Sequence, residues 1–503
     1  MEQIVQSLSG LPGFSNSIRT TGIRSKIWLM LGIIGLILTF IRIIAVTKEF
    51  LQGPVLTQVD LRTASESSSF PAVTICTLNQ VSCAKAFQIN ELLEEAMKNK
   101  NSLNQEQIRE NLPKTCRLFE MAGCSTNCSD GGQFLNTSFE DLYNSLQRET
   151  KIAIGESLET TMLEFKYSNA VQNSSSWTIY YLPMTGICFH FNYMGLVKEA
   201  GVGEENGMEL LIRLNSDPNL REGIQDGKHG LTLTIQSPLA FPALTLNRID
   251  LEPGMAHRIP MSRGSWTFLR NCISNWNDAA IQAFKNEKFM KAYGNLHYDQ
   301  SVCNHYCQVE AIYNKCGCIS TSHEIPEARR YVFVEANGTI SRSCLSKDEE
   351  CTSASIVADP EITCGCKLSC FEETFDMLPS QGKWPGDSSW KRIAKQFGIP
   401  RPIVNVTDMT SFEDVNIEKY SDFLWRKKVD RSVMKIRIFL RTRESLEFKE
   451  KKKFETHWEV LAKMGGSMSV FMGLCFVAII EVIGTYVVGF WSIISCQICK
   501  NDK

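Results

Sequence analysis

The sequence predicts an α+β membrane protein, with two membrane-spanning helices bracketing one large, disulfide-rich extracellular domain. Three observations carry that expectation. Two long apolar stretches lie near the ends of the 503-residue chain, at 27–46 and 464–494. Of 19 cysteines, 16 fall between Cys76 and Cys370. Five N-x-[ST] sequons, at Asn127, Asn136, Asn173, Asn337 and Asn405, occupy the same intervening region. The expected segments are a cytosolic tail (1–26), a first span (27–46), the extracellular domain (47–463), a second span (464–494) and a cytosolic tail (495–503).

The first stretch, IWLMLGIIGLILTFIRIIAV, carries one charge, Arg42, close enough to its end to snorkel to the interface. A cleaved signal peptide has a shorter apolar core, starts nearer the terminus and ends at small residues. This run begins behind Arg19, Arg24 and Lys26, so an uncleaved span is expected. The second stretch has one charge, Glu481, and glycines at 465, 466, 473, 484 and 489. As one straight helix it would be roughly 46 Å long, against a hydrocarbon core of about 30 Å. It must tilt, protrude or break. Glycines allow close helix approach or local unwinding beside water, and a carboxylate within a span usually faces a partner or an aqueous cavity. A simple anchor needs neither.

The cysteines point to an oxidising compartment, because an even set is confined to the segment that carries the sequons. The remaining Cys475, Cys496 and Cys499 lie in or just past the second stretch. A cytosolic metal protein is the competing reading, since Cys316-Gly317-Cys318 and Cys364-Gly365-Cys366 resemble zinc half-sites. Their C-x-C spacing is shorter than that of common zinc knuckles, and no metal or cofactor is expected. Basic residues before the first span and Lys500 and Lys503 after the second place both termini in the cytosol.

Within the extracellular segment, strand-like alternation occurs at 208–215, 230–236 and 434–441. Helical patterns occur at 89–99 and 389–398, the second with Asp387 or Ser388 as N-cap and Gly398 as stop. Strands drawn from distant parts of the chain imply a central sheet with peripheral helices. The net charge of −2 leaves no concentrated basic surface, so no nucleic-acid partner is expected. There is no HExxH, no GxSxG and no phosphate-binding glycine loop, so no enzyme activity is expected either. His190, in Cys188-Phe189-His190-Phe191, reads as a buried strand residue.

Several strings are similar to one family's signatures, in the same order. They are Phe70 to Cys76 (FPAVTIC), Gly186 to Asn192 (GICFHFN), Cys303 to Cys318 (CNHYCQVEAIYNKCGC), Cys364-x-Cys366-x3-Cys370, and Lys463-Met464-Gly465-Gly466 with Gly473 and Glu481. The chain thereby resembles the degenerin/epithelial sodium channel/acid-sensing ion channel family. The resemblance implies a trimer around a pore lined by the second span, and an extracellular domain with a β-sheet palm and helical finger, thumb and knuckle. It implies a nested set of disulfides: Cys272–Cys370, Cys303–Cys366, Cys307–Cys364, Cys316–Cys351 and Cys318–Cys344. Cys76, Cys83, Cys116, Cys124, Cys128 and Cys188 leave several pairings open, with Cys188 to Cys83 or Cys76 favoured.

By the same resemblance the filter and pore involve Gly473, Leu474, Cys475, Glu481, Gly465 and Gly466, the gate region Ala462 and Lys463, and the N-terminal gating motif Gly22. Departures cluster in the pore and its cytosolic approach. Thr21-Gly22 replaces the family's His-Gly, Leu474-Cys475 replaces its small-residue and serine pair, Lys463 replaces an acid, and Gly484 replaces a second acid. The function implied is a subunit of a trimeric, ligand- or stimulus-gated, amiloride-sensitive-type sodium or cation channel of the plasma membrane, with sodium as the permeant ion. It would assemble as a homo- or hetero-trimer with sister subunits and respond to an extracellular ligand. The alternatives are an accessory subunit that conducts only in combination, or a two-span glycosylated receptor or scavenger protein.

Overall fold

The computed structural model describes residues 21–63, 68–79, 81–88, 105–124, 134, 136–146, 148–173, 176–182, 186–214, 230–240, 248–276, 297–319, 342–402, 417–454 and 456–472. The chain divides into two compact units, Met1–Gln58 with Lys449–Lys503, and Val59–Phe448.

In the first unit the N-terminal helix spans Ile23–Gln52, longer at both ends than the apolar run, and Gly53 closes it in the left-handed region at φ 56°. No breaker precedes the Gly53-Pro54 pair, so the helix continues until one appears. Among the described residues this is the one helix long and apolar enough to cross a membrane. Its buried positions, Gly32, Gly35, Thr39 and Val46, fall along one narrow stripe, while Leu29, Ile33, Ile37, Phe40 and Ile44 are exposed around the rest. A helix apolar on nearly every side needs a partner surface or lipid around it rather than water. The C-terminal helix is described over His457–Met472, so it begins before the apolar stretch does. Val46 and Phe50 pack against Phe454, Val460 and Met464.

Sixteen strands are described, in chain order β1 (Val55–Thr63), β2 (Ala72–Thr77), β3 (Met162–Tyr167), β4 (Ala170–Val171), β5 (Trp177–Leu182), β6 (Gly186–Phe191), β7 (Met208–Arg213), β8 (Leu231–Gln236), β9 (Arg248–Leu251), β10 (Met255–Thr267), β11 (Cys272–Ile273), β12 (Leu368–Ser369), β13 (Phe371–Met377), β14 (Ser380–Lys383), β15 (Val433–Leu440) and β16 (Glu444–Lys452). A nine-stranded sheet has the order β1-β16-β10-β15-β7-β3-β4, with β13 and β14 also paired to β10. A five-stranded sheet has the order β5-β6-β2-β8-β9. Side chains from both sheets share one core, including Val73, Ile75, Phe189, Phe191, Leu233, Leu210, Ile212, Ile259, Met261, Ile436 and Ile438.

All three alternating segments are strands, but their burial differs. β15 alternates as expected of a half-buried strand, with Met434, Ile436, Ile438 and Leu440 inward. β8 instead is buried on both faces through Ile235, and β2 along its whole length. Their threonines serve as buried polar residues with partners: Thr74 Oγ1 meets His190 Nδ1 at 2.9 Å, and Thr232 Oγ1 donates to Asp250 Oδ1 at 2.9 Å. Alternation alone does not report this two-sided burial, because a threonine with a partner is tolerated inside.

The helix at 389–398 is Trp390–Gln396, with Gly398 at φ 59° beyond its end. Its N-cap is Ser389 rather than Asp387 or Ser388. A turn closed by Ser389 N–H to Gly386 O, 3.0 Å, sets the N-cap two residues past Asp387. The helix packs through Ile393, Ala394 and Phe397 on Trp425 and Val429 of Ile417–Ser432 and on Leu211. The expected helix at 89–99 lies outside the described residues.

Candidate pore-entrance and gating elements

In the first unit, Gly22 caps the N-terminal helix at φ 76°, a conformation that L side chains rarely adopt. Ala462, Lys463, Gly465 and Gly466 lie on the C-terminal helix and are exposed. A Cβ at either of these two glycines would meet nothing within 4 Å, so close packing within the chain does not require them. Lys463 sits over the Phe454 ring, 4.7 Å from its centroid, and its ammonium lies 3.9 Å from the Glu49 carboxylate. Glu49 also pairs with Lys453. The two helices thus meet in a charged cluster in which one carboxylate serves two lysines. Exposed, salt-screened pairs of this kind add little to stability, so their weight is in local potential. Gly473, Leu474, Cys475 and Glu481 lie outside the described residues.

In the second unit, register alone assembles a charged row. Lys166 of β3 stands opposite Glu209 of β7, Glu209 opposite Arg437 of β15, and Arg437 beside Arg258 of β10. Glu209 accepts from Lys435 at 2.9 Å and Arg437 at 2.7 Å. Glu204, in the turn before β7, links Arg437 at 2.8 Å with Arg258. Burial pushes the Glu209 carboxyl up, and the hydrogen bonds from Lys435 and Arg437 outweigh it, leaving the group below its ordinary value. The row borders a cavity of about 580 Å³. Sequence reasoning missed this network, since only register brings together residues of opposite charge on four strands.

A second cavity, about 230 Å³, is lined by residues of β8, β13 and the segment His297–Ser301. Glu373 there binds Arg263 at 3.0 Å and accepts from Ser237 at 2.6 Å. Partial burial, and then the neighbouring Asp299 carboxylate, push Glu372 up. Asp299 itself caps the helix Gln300–Cys316, accepting from the Ser301 N–H at 2.7 Å.

That helix organises the disulfides. Cys303 and Cys307 are one turn apart on its buried face with Val302, Tyr306 and Val309. The short helix Pro360–Cys364 starts at the capping residue Asp359 and ends at Gly365, φ 74°. That left-handed turn presents Cys364 and Cys366 to Cys307 and Cys303, respectively. Further bridges join Cys272–Cys370, Cys316–Cys351 and Cys318–Cys344. Elsewhere Cys76 pairs with Cys188, its direct neighbour in the β2–β6 register, and Cys83 with Cys124. Cys116 is disulfide-bonded as well, and Cys128 lies outside the described residues. Asn136 and Asn173 are exposed, while Asn127, Asn337 and Asn405 lie outside the described residues. His190 is fully buried in β6, and burial lowers its imidazole to about 3, so it is neutral at physiological pH.

The amiloride-sensitive sodium channel family model matches residues 7–484, from before the first apolar stretch into the second. The chain belongs to the amiloride-sensitive sodium channel family. Among relatives of this family, the epithelial sodium channel subunit gamma of Rattus norvegicus is 20% identical over 69% of this chain and 49% of its own length. The FMRFamide-activated amiloride-sensitive sodium channel of Cornu aspersum is 19% identical over 92% of this chain and 78% of its own. The epithelial sodium channel subunit beta of Bos taurus is 22% identical over 50% of this chain and 38% of its own. The chain spans about half the length of the gamma subunits it matches.

Proposed function

We propose that the chain is a subunit of a trimeric, ligand- or stimulus-gated cation channel of the plasma membrane, passing sodium down its electrochemical gradient. The observation that carries this reading is the family match from residue 7 to 484, which takes in the first apolar stretch, the segment after it and the second stretch as far as Gly484. In this reading the second span, 464–494, lines the pore, both tails are cytosolic, and Gly473, Leu474, Cys475 and Glu481 form the narrow path and its lower mouth. A filter works by replacing the hydration shell with carbonyls or small polar groups. Gly473 meets that need, and Cys475 offers a poorer ligand than an oxygen. The nine-stranded sheet corresponds to the palm, the Cys303–Cys318 segment to the thumb, and the helices Trp390–Gln396 and Ile417–Ser432 to the knuckle. The stapled thumb would transmit motion of the extracellular domain instead of absorbing it.

A second reading, in which the subunit conducts only beside sister subunits, is favoured by Lys463, Leu474 and Cys475. Lys463 places a cation where the family has an acid, and three such lysines would oppose cation entry by a salt-screened amount. Voltage clamp of cells expressing the chain alone, under acid, peptide and mechanical stimuli, tests both. A stimulus-evoked current whose reversal potential follows external sodium is expected, and Glu481→Ala should alter its conductance or selectivity. Current only on co-expression with a sister subunit selects the second reading. A chain at the cell surface that yields no current in any combination overturns both.

A further inference from the structure

Glu156 lies in the link between the helices Arg148–Ile154 and Leu158–Thr161, and only 4% of its surface is exposed. Three segments meet around it. The link is pressed against β6, because a Cβ on Gly155 would come within 2.5 Å of Ile187 Cδ1. The 3-10 turn Cys83–Gln88 is tied to the link by the Ser82 N–H, which donates to Ile154 O at 2.8 Å. The Cys83–Cys124 bridge holds the same turn to the end of the helix Gln105–Met121. Arg213, at the end of β7, donates to Phe397 O at 3.0 Å and so joins the sheet to the helix Trp390–Gln396.

The Glu156 carboxyl is hydrogen-bonded by the Ser82 side chain, and its Oε1 has no hydrogen-bond partner among the described residues. The positive charges acting on it are Lys85 from the 3-10 turn and Arg213 from β7. On the flanking helices, Lys151 is buried over the Tyr143 ring and Glu159 is exposed. A buried carboxylate with one satisfied oxygen is costly unless it takes up a proton.

We propose that Glu156 is a proton-binding site at this junction: neutral, it is accommodated among Ser82, Ile187 and the two helices, and ionised, it loosens the attachment of the 3-10 turn and the link to the sheet. Burial pushes the carboxyl up to about 7 and moves the Lys85 ammonium down from its ordinary value. An acid whose folded value exceeds its ordinary value of 4.5 contributes stability that is complete below 4.5 and lost as pH rises through about 7. The inference stands apart from the channel reading, because its readout is the folding of the extracellular domain.

The test compares the full chain in detergent with Glu156→Gln, following thermal unfolding from pH 5 to pH 8.5. Titrations elsewhere are common to both proteins and cancel in the difference. The two should differ least at pH 5, and the variant should gain on the wild type as pH rises, half of the gain falling between 4.5 and about 7 and the full several degrees being reached by pH 8.5. Ser82→Ala and Lys85→Met each remove something that favours the ionised form, so each should move the wild-type midpoint to higher pH. Hydrogen exchange in residues 81–88 should slow, after correction for the intrinsic rate, as pH falls through the same range. A difference between wild type and Glu156→Gln that is constant across the range overturns the proposal. Should Glu156→Gln fail to fold, an exchange midpoint that Ser82→Ala and Lys85→Met both leave unmoved overturns it equally.

Discussion

The two-sheet core and the cysteine-linked helical segment of 272–370 are held together by different physics. The sheet core is a wide apolar cluster: Phe191 alone lies 5.1–6.4 Å from the rings of Phe70, Phe165, Tyr167 and Trp177. Among the described residues the helical segment buries far fewer side chains, and Cys303, Cys307, Cys364 and Cys366 are themselves members of its core. Where too little apolar surface is available to fix a long loop, covalent links take over the task. The difference teaches that the two regions should fail differently, one gradually with lost packing and the other through redundancy of its bridges.

The largest effect is expected where packing alone acts. Phe191→Ala should cost about 3–5 kcal/mol, the range for deleting a buried aromatic side chain. Chemical denaturation of the full chain measures it, and a loss below about 1 kcal/mol would remove the contrast between the regions.

Removal of the Cys303–Cys366 bridge by a double serine substitution should cost less than its sequence separation of 63 suggests. Taken alone, a loop of that length corresponds to about 4 kcal/mol of closure entropy. With Cys307–Cys364 intact, the additional loop is only a few residues long, and about 2–3 kcal/mol is expected. Removing both bridges should therefore cost less than the sum of the two isolated-loop values. Strict additivity at the larger values would show that the bridges do not share one constraint.

Asp299→Ala removes the cap of the helix that carries Cys303 and Cys307, and about 1 kcal/mol is expected. Asp299→Asn should recover most of it, since the amide oxygen can accept the same N–H. Circular dichroism melting distinguishes the two variants.

The smallest effect is an acid dependence at the edge of the stapled segment. Hydrogen bonds from Arg342 hold the Asp348 carboxyl down at about 2. A depressed acid contributes stability present above its ordinary value of 3.8 and lost as pH falls through about 2. Limited acid proteolysis of residues 342–353 should increase only below pH ~4. Arg342→Met should make cleavage there independent of pH across that window.

Sequence patterning alone located β7, β8, β15, the N-terminal apolar helix and the helix stopped by Gly398, because each is specified by local periodicity or a local breaker. Disulfide bonding of the segment between Cys76 and Cys370 was legible from how the cysteines cluster there. Tertiary structure decided what depends on distant residues meeting. The row Lys166–Glu209–Arg437–Arg258 exists only through strand register. Full burial of β2 and β8 depends on what covers both of their faces, which alternation cannot report. Lys463 shares Glu49 with Lys453 because two helices from opposite ends of the chain lie together. Glu156 looks like an ordinary loop acid in the sequence, and only its burial, with the adjoining Gly155 packed on Ile187, turns it into a group that prefers a proton. Local signals determine which segments become helix or strand, while burial and charge belong to the neighbours that folding supplies.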